Sequence, residues 1–98
     1  MRFEWAADKN RSNRRKHGGI DFEVASRVFT DPSILLRKDR VVEGEQRWHG
    51  IGAVEKAVLL VVHVYREEDS NGEEIVRIIS ARKANSRERG IYLEQAPY

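Results

Sequence analysis

The 98-residue sequence predicts an α+β fold in one small domain spanning residues 1–98. An antiparallel β-sheet of about four to five strands is expected, with two N-terminal helices and one C-terminal helix. Three observations predict it. Two helical patterns near the N-terminus each run into a breaker, Gly18-Gly19 and Asp31-Pro32. From Ser33 to Arg82, apolar runs alternate with turns rich in Gly, Asn, Asp and Glu, the pattern of a meander. Beyond it, Asn85-Ser86-Arg87-Glu88 has the form of a capping box, with Asn in place of Ser or Thr.

Each element has its own local cause. Arg2 to Trp5 reads as a short strand, and Asp8 to His17 as a helix ended by Gly18-Gly19, where a left-handed residue costs little. That helix carries Lys9, Arg11, Arg14, Arg15 and Lys16 around Asn10, Ser12 and Asn13, with almost no apolar stripe beyond Ala6 and Ala7. It is either a solvated helix anchored at its ends or one that faces nucleic acid. Asp21 is the expected N-cap of a second helix that buries Phe22, Ala25, Val28 and Phe29 and stops at Asp31-Pro32. Strands follow at Ser33–Lys38 and Gln46–Val54, joined around Glu43-Gly44-Glu45. The most apolar run, Ala57 to Arg66, is expected at the centre of the sheet, and Asp69-Ser70-Asn71-Gly72 returns it into a last strand, Glu74 to Arg82. The final helix runs through Ile91, Tyr92 and Leu93, weakened by Gly90.

Composition narrows the function classes. The longest apolar run, Ala57 to Val62, falls far short of the roughly 20 residues of a membrane span. No apolar stretch with a small-residue cleavage site follows Met1, so the expected location is the cytoplasm and no membrane partner is expected. There is no cysteine, which removes disulfides and thiolate metal sites, and three histidines without short spacing give no metal site. The net charge of +2 hides a segregation: residues 1–20 hold six basic and two acidic side chains, residues 21–81 eight and twelve, and residues 82–98 four and two. If the basic ends meet in space they form a positive face suited to an anionic polymer; the alternative is ordinary surface scatter.

The segment Arg77-Ile78-Ile79-Ser80-Ala81-Arg82-Lys83-Ala84 carries an apolar strand directly into fixed positive charge. A guanidinium at a strand end is a rigidly mounted ligand for phosphate oxygens. Strict alternation puts Val58, Leu60, Val62, Val64 and Arg66 on one face of the central strand and Leu59, Val61, His63 and Tyr65 on the other. On the last strand it groups Val76, Ile78, Ser80 and Arg82 against Ile75, Arg77, Ile79 and Ala81. Arg66 and Arg82 then fall at opposite ends of antiparallel neighbours.

The order of elements, together with particular residues, resembles the BrnT family of bacterial toxins. The matching words are Phe3-Glu4-Trp5, Lys9, Asn13, Lys16-His17-Gly18, Phe22 with Glu23 and Ala25, and Val28-Phe29 with Asp31-Pro32. They continue through Glu45, Arg47, Ile51-Gly52, Val61-Val62, Arg66, Ile78-Ile79-Ser80-Ala81-Arg82, Glu88-Arg89 and Tyr92, covering nearly the whole chain. Two departures stand out. Ala6 occupies a position where the family usually has Asp, removing a helix cap, and Gly19 is an extra residue after Lys-His-Gly. The resemblance implies a RelE-like ribonuclease fold and a metal-independent endoribonuclease that arrests translation and growth. It further implies neutralisation by a cognate ribbon-helix-helix antitoxin, BrnA-like, whose complex with the toxin binds operator DNA. The ribosome is a further partner to consider.

Metal-free RNA cleavage needs a base for the 2′-hydroxyl, an acid for the 5′-oxygen and fixed cations around the phosphorane. Arg66 and Arg82 are the candidates for phosphate stabilisation, and Lys16, His17 and Glu88 for proton transfer. Glu88 has a competing task in the capping box, and His17 another in complementing a helix C-terminus. Lys9, Asn13, Trp48, His49 and Lys83 are the candidates for RNA binding, His49 and Trp48 either stacking a base or packing on the sheet. His63 reads as a core histidine, and Arg77 as a cation for RNA or for a carboxylate on the neighbouring strand. No cofactor is expected. Two other functions fit the same residues: a non-catalytic RNA- or ribosome-binding module, and a co-repressor subunit that holds the antitoxin on its operator.

Overall fold

The computed structural model describes residues 1–67 and 70–95. In chain order the elements are β1 (Arg2–Glu4), α1 (Ala7–Lys16), α2 (Phe22–Ser26), a 3-10 turn (Arg27–Thr30), β2 (Leu35–Val42), β3 (Glu45–Val54), β4 (Ala57–Arg66), β5 (Ile75–Lys83) and α3 (Ser86–Glu94). They form one five-stranded sheet in the order β1-β5-β4-β3-β2. The meander β2 to β5 is antiparallel, as its turns dictate. β1 instead runs parallel to β5, pairing Phe3 with Val76, so the sheet is mixed rather than wholly antiparallel. The chain makes this parallel pair through the long crossover that α1, α2 and the meander provide. Of the expected turn 69–72, Asp69 lies outside the described residues; Gly72 takes the left-handed conformation at φ 75°.

α2 and the 3-10 turn cover one face, here the helix face, with α1 at the β5 edge. Ile20, Phe22, Ala25 and Val28 pack there on Leu59, Val61, Ile78 and Ala81. Gly52 allows the 3-10 turn to lie directly on β3, since a Cβ there would come within 2.8 Å of Val28. Asp21 caps α2 by accepting from the Glu23 N–H at 2.8 Å. The second helical pattern breaks into α2 and a tighter 3-10 turn, and Asp31 then does more than stop it. Its carboxylate accepts from the Ala53 N–H at 2.8 Å, the Ser33 N–H at 2.9 Å and the Tyr92 hydroxyl, tying helix, β3 and α3 together. Burial pushes the Asp31 carboxyl up, but these hydrogen bonds outweigh it and hold the group below its ordinary value.

Among the described residues, the opposite, open face is covered at one end, where Tyr92 of α3 packs on Ile51 and Leu60. Two irregularities interrupt the ladders. One lies between Lys38 and Val41 of β2; there the Gln46 side chain donates to the Asp39 carbonyl at 2.6 Å and fills the gap. The other lies on β5: Val62 pairs with Ser80 but His63 pairs with Ile78, leaving Ile79 as an extra residue. This bulge overturns strict alternation on β5. Ile78 and Ala81 share the helix-face core, whereas Arg77, paired with Val64, and Arg82, paired with Leu60, both stand on the open face.

Candidate active site

Arg82 emerges on the open face beside the N-terminal turn of α3. Asn85 and Glu88 form the full capping box there. Glu88 also takes the Arg82 guanidinium in a two-point fork, Nη1 to Oε1 at 2.7 Å and Nη2 to Oε2 at 2.9 Å. The hydrogen bonds from Arg82, joined by the one from the Asn85 N–H, outweigh burial and hold the Glu88 carboxyl down at about 2. Glu88 is therefore an acceptor at neutral pH, and what it does to Arg82 is aim it. A proton-transfer role for Glu88 would have to be met by a carboxylate already engaged by Arg82 and by the Asn85 N–H. Nη1 also donates to the Lys83 carbonyl at 3.4 Å, and Arg82 keeps 37% of its side chain exposed while that of Glu88 keeps 12%.

His49 stands on the same face, in a row formed by Arg37, His49, Val62 and Ser80 across four strands. Its Nε2 lies 3.2 Å from Asp39 Oδ2, with 23% and 28% of the two side chains exposed. Asp39 was not singled out from sequence. A hairpin of uniform register through Glu43-Gly44 opposes Lys38 to His49; the β2 irregularity moves Arg37 into that place and brings the Asp39 carboxylate to the imidazole. Trp48 points the other way. It pairs with His63 and stacks edge-on to Tyr65 at 5.8 Å on the helix face, so Trp48 and His49 do not form one RNA-stacking site.

α1 closes the site along the β5 edge. Lys9, Ser12, Asn13, Lys16 and His17 line a cleft of about 340 Å³ against Ile79 and Ser80. The basic helix thus lies along β5 just ahead of Arg82, with Asp8 also on the cleft wall. Asn13 makes the junction: its Nδ2 donates to the Ala81 carbonyl at 2.8 Å and the Ile20 carbonyl at 3.1 Å, and its Oδ1 accepts from the Ala81 N–H at 3.0 Å. One amide side chain thereby continues the sheet edge where β1 has ended. Asn13 is 4% exposed and every polar atom of its amide is engaged, which corrects its expected role in RNA binding. Ala6 at the N-cap of α1 makes no side-chain cap, and Gly18 and Gly19 both take left-handed conformations to end the helix.

Two expected residues stand apart. Arg66 pairs with Ile75 at the far end of β4, six residues from Leu60 and hence about 20 Å from Arg82; its guanidinium meets Glu4 at 3.5 Å. Arg66 and Arg82 thus lie at opposite ends of the antiparallel pair, as expected from the sequence, and do not act on one phosphate. Lys83 pairs with Leu59 and faces away from Arg82, beside Lys56 and Arg89. His63 is fully buried, its Nδ1 3.1 Å from the Val61 carbonyl and its Nε2 without a partner. Among the described residues, no three His, Asp or Glu side chains group as metal ligands. No helix among them is long and apolar enough to cross a membrane.

Comparison with known proteins agrees with the resemblance read from the residues. A family model described as the ribonuclease toxin BrnT of type II toxin–antitoxin systems matches residues 5–88. The chain belongs to this family, whose substrate is RNA and whose partner is an antitoxin. No curated protein matches it.

Proposed function

We propose that this BrnT-family chain is an endoribonuclease that cuts single-stranded RNA without a metal ion, at the open face of the sheet. The observation that carries the proposal is the placing of two side-chain pairs on that face, Asp39–His49 and Glu88–Arg82, with His49 and Arg82 each partly exposed. If Nε2–H of His49 is held by Asp39, Nδ1 keeps its lone pair free as a base. Nδ1 takes the proton of the 2′-hydroxyl, the 2′-oxygen attacks phosphorus, and the bond from phosphorus to the 5′-oxygen breaks. Arg82, aimed by Glu88, stabilises the charge that builds on the phosphorane. Lys16 and His17, in the cleft that ends at Ser80, supply the proton that the departing 5′-oxygen takes. The products are a 2′,3′-cyclic phosphate and a 5′-hydroxyl.

In the cell this activity would act in the cytoplasm, destroying message and arresting translation and growth. A ribbon-helix-helix antitoxin of BrnA type would silence it, and the complex would bind operator DNA; the ribosome is a further partner for the same face. The edge strand β2 supports a protein partner, since it carries exposed Leu36 and Val41 and its outer side pairs with no strand among the described residues. The test is incubation of wild-type protein and the Arg82→Ala variant with end-labelled RNA in excess chelator. Cyclic-phosphate ends from wild type alone are expected. Intact RNA from both, with RNA binding retained, overturns the catalytic reading in favour of a binding module.

A further inference from the structure

Next to the Arg82–His49 site the open face holds a second concavity that the cleavage chemistry does not use. A cleft of about 180 Å³ lies between the tip of the β2–β3 hairpin and β5, walled by Lys9, Glu43, Glu45, Arg47, Arg77 and Ile79. It is smaller than the roughly 300–1,000 Å³ of sites for drug-sized ligands and suits a single planar heterocycle. Among the described residues, none of its five charged side chains makes an ion pair or a side-chain hydrogen bond with another. Nε of Arg47 is moreover buried without any partner. Two carboxylates and two guanidinium forks thus surround one small cleft with their hydrogen-bonding capacity unspent, and Arg47 stands two residues, about 7 Å, along β3 from His49 on the same face.

We infer that this cleft is a base-recognition subsite for guanine, occupied by the nucleotide next to the scissile phosphate; the inference rests on the ribonuclease reading for its substrate. Guanine presents two adjacent donors, N1–H and the N2 amino group, on one edge and two acceptors, N7 and O6, on the other. A carboxylate of Glu43 or Glu45 fits the first edge and a fork from Arg47 or Arg77 fits the second. Adenine, with a donor and an acceptor mixed on each edge, leaves one member of every such pair unsatisfied. Lys9, which also lines the α1 cleft, is placed to hold the phosphate that joins the two subsites.

The test measures binding and cutting separately. Uncleavable 2′-O-methyl oligonucleotides that differ at one position, guanine, inosine or adenine, are titrated against wild-type protein and the doubly substituted Glu43→Gln, Glu45→Gln variant. Both glutamates are exposed, and circular dichroism checks that the variant folds. Wild type should prefer guanine to inosine and to adenine by about tenfold, and the variant should lose that preference. Equal affinities in wild type, or a preference that survives in the variant, overturns the subsite. Cleavage in chelator reports on the other reading: a glutamate-dependent guanine preference in a protein that cuts no RNA upholds the subsite and removes the nuclease.

Discussion

His63 on the helix face and His49 on the open face stand on neighbouring strands and are set to opposite purposes. His63 is fully buried, ringed edge-on by Phe29 at 4.8 Å and Tyr65 at 5.1 Å, with burial driving its pKa down to about 4. Gly50 makes room for it: a Cβ there would lie 3.2 Å from its ring. His49 has a carboxylate partner and an open side. A histidine in the core is kept neutral and packs; one on a wet face with an acid behind it can move protons. The same contrast separates the faces as wholes, apolar interlock on one and unspent charge on the other.

The largest effect expected from breaking this contrast is on cleavage. His49→Ala should lower RNA cleavage by about 100-fold or more, the range for loss of a positioned acid–base group, with thermal stability almost unchanged. His63→Leu should leave cleavage intact. Loss of activity in the second variant and not the first would reassign the chemistry to the helix face.

The second effect is on stability against pH. The folded-state pKa of His63, about 4, lies below the ordinary 6.5, so the unfolded chain takes up its proton first as pH falls. The stability that goes with neutral His63 is complete above pH 6.5 and erodes toward pH 4, by about 3 kcal/mol at the end. Urea unfolding at a series of pH values should show this slope in wild type and a flatter one in His63→Leu. Equal slopes would mean that His63 is not kept neutral by burial.

Much of this architecture was legible in the sequence, for reasons that are local. Apolar density marked β4 as central, Asp21 and Asn85 with Glu88 announced two helix starts, and the turns set an antiparallel meander. What was not legible is what depends on distant partners. Nothing near Arg2–Glu4 specifies that it runs parallel to β5. Alternation alone misplaces Arg82 relative to Ile78, because the bulge at Ile79 inserts one residue between them. The β2 irregularity likewise decides which side chain meets His49. Both departures from a regular ladder adjoin the candidate site and re-aim one of its residues, a common use of bulges. The basic surface of α1 was readable as a charge pattern, yet its most informative residue, Asn13, turned out to be the one facing inward.

Asn13 also provides the smallest and most discriminating perturbation, because it joins the two faces. Replacing it with Ala leaves the Ala81 N–H and the Ala81 and Ile20 carbonyls buried without their partner, which should cost about 1–3 kcal/mol in urea unfolding. The loss falls on the contact that holds α1 against β5, so Lys9, Lys16 and His17 lose their fixed position beside Ser80. RNA binding by Asn13→Ala, measured in conditions where the variant remains folded, should therefore weaken and show a shallower dependence on salt, as fewer phosphates are neutralised at once. If stability falls while the salt slope stays at its wild-type value, α1 is a structural brace and RNA engages the sheet alone.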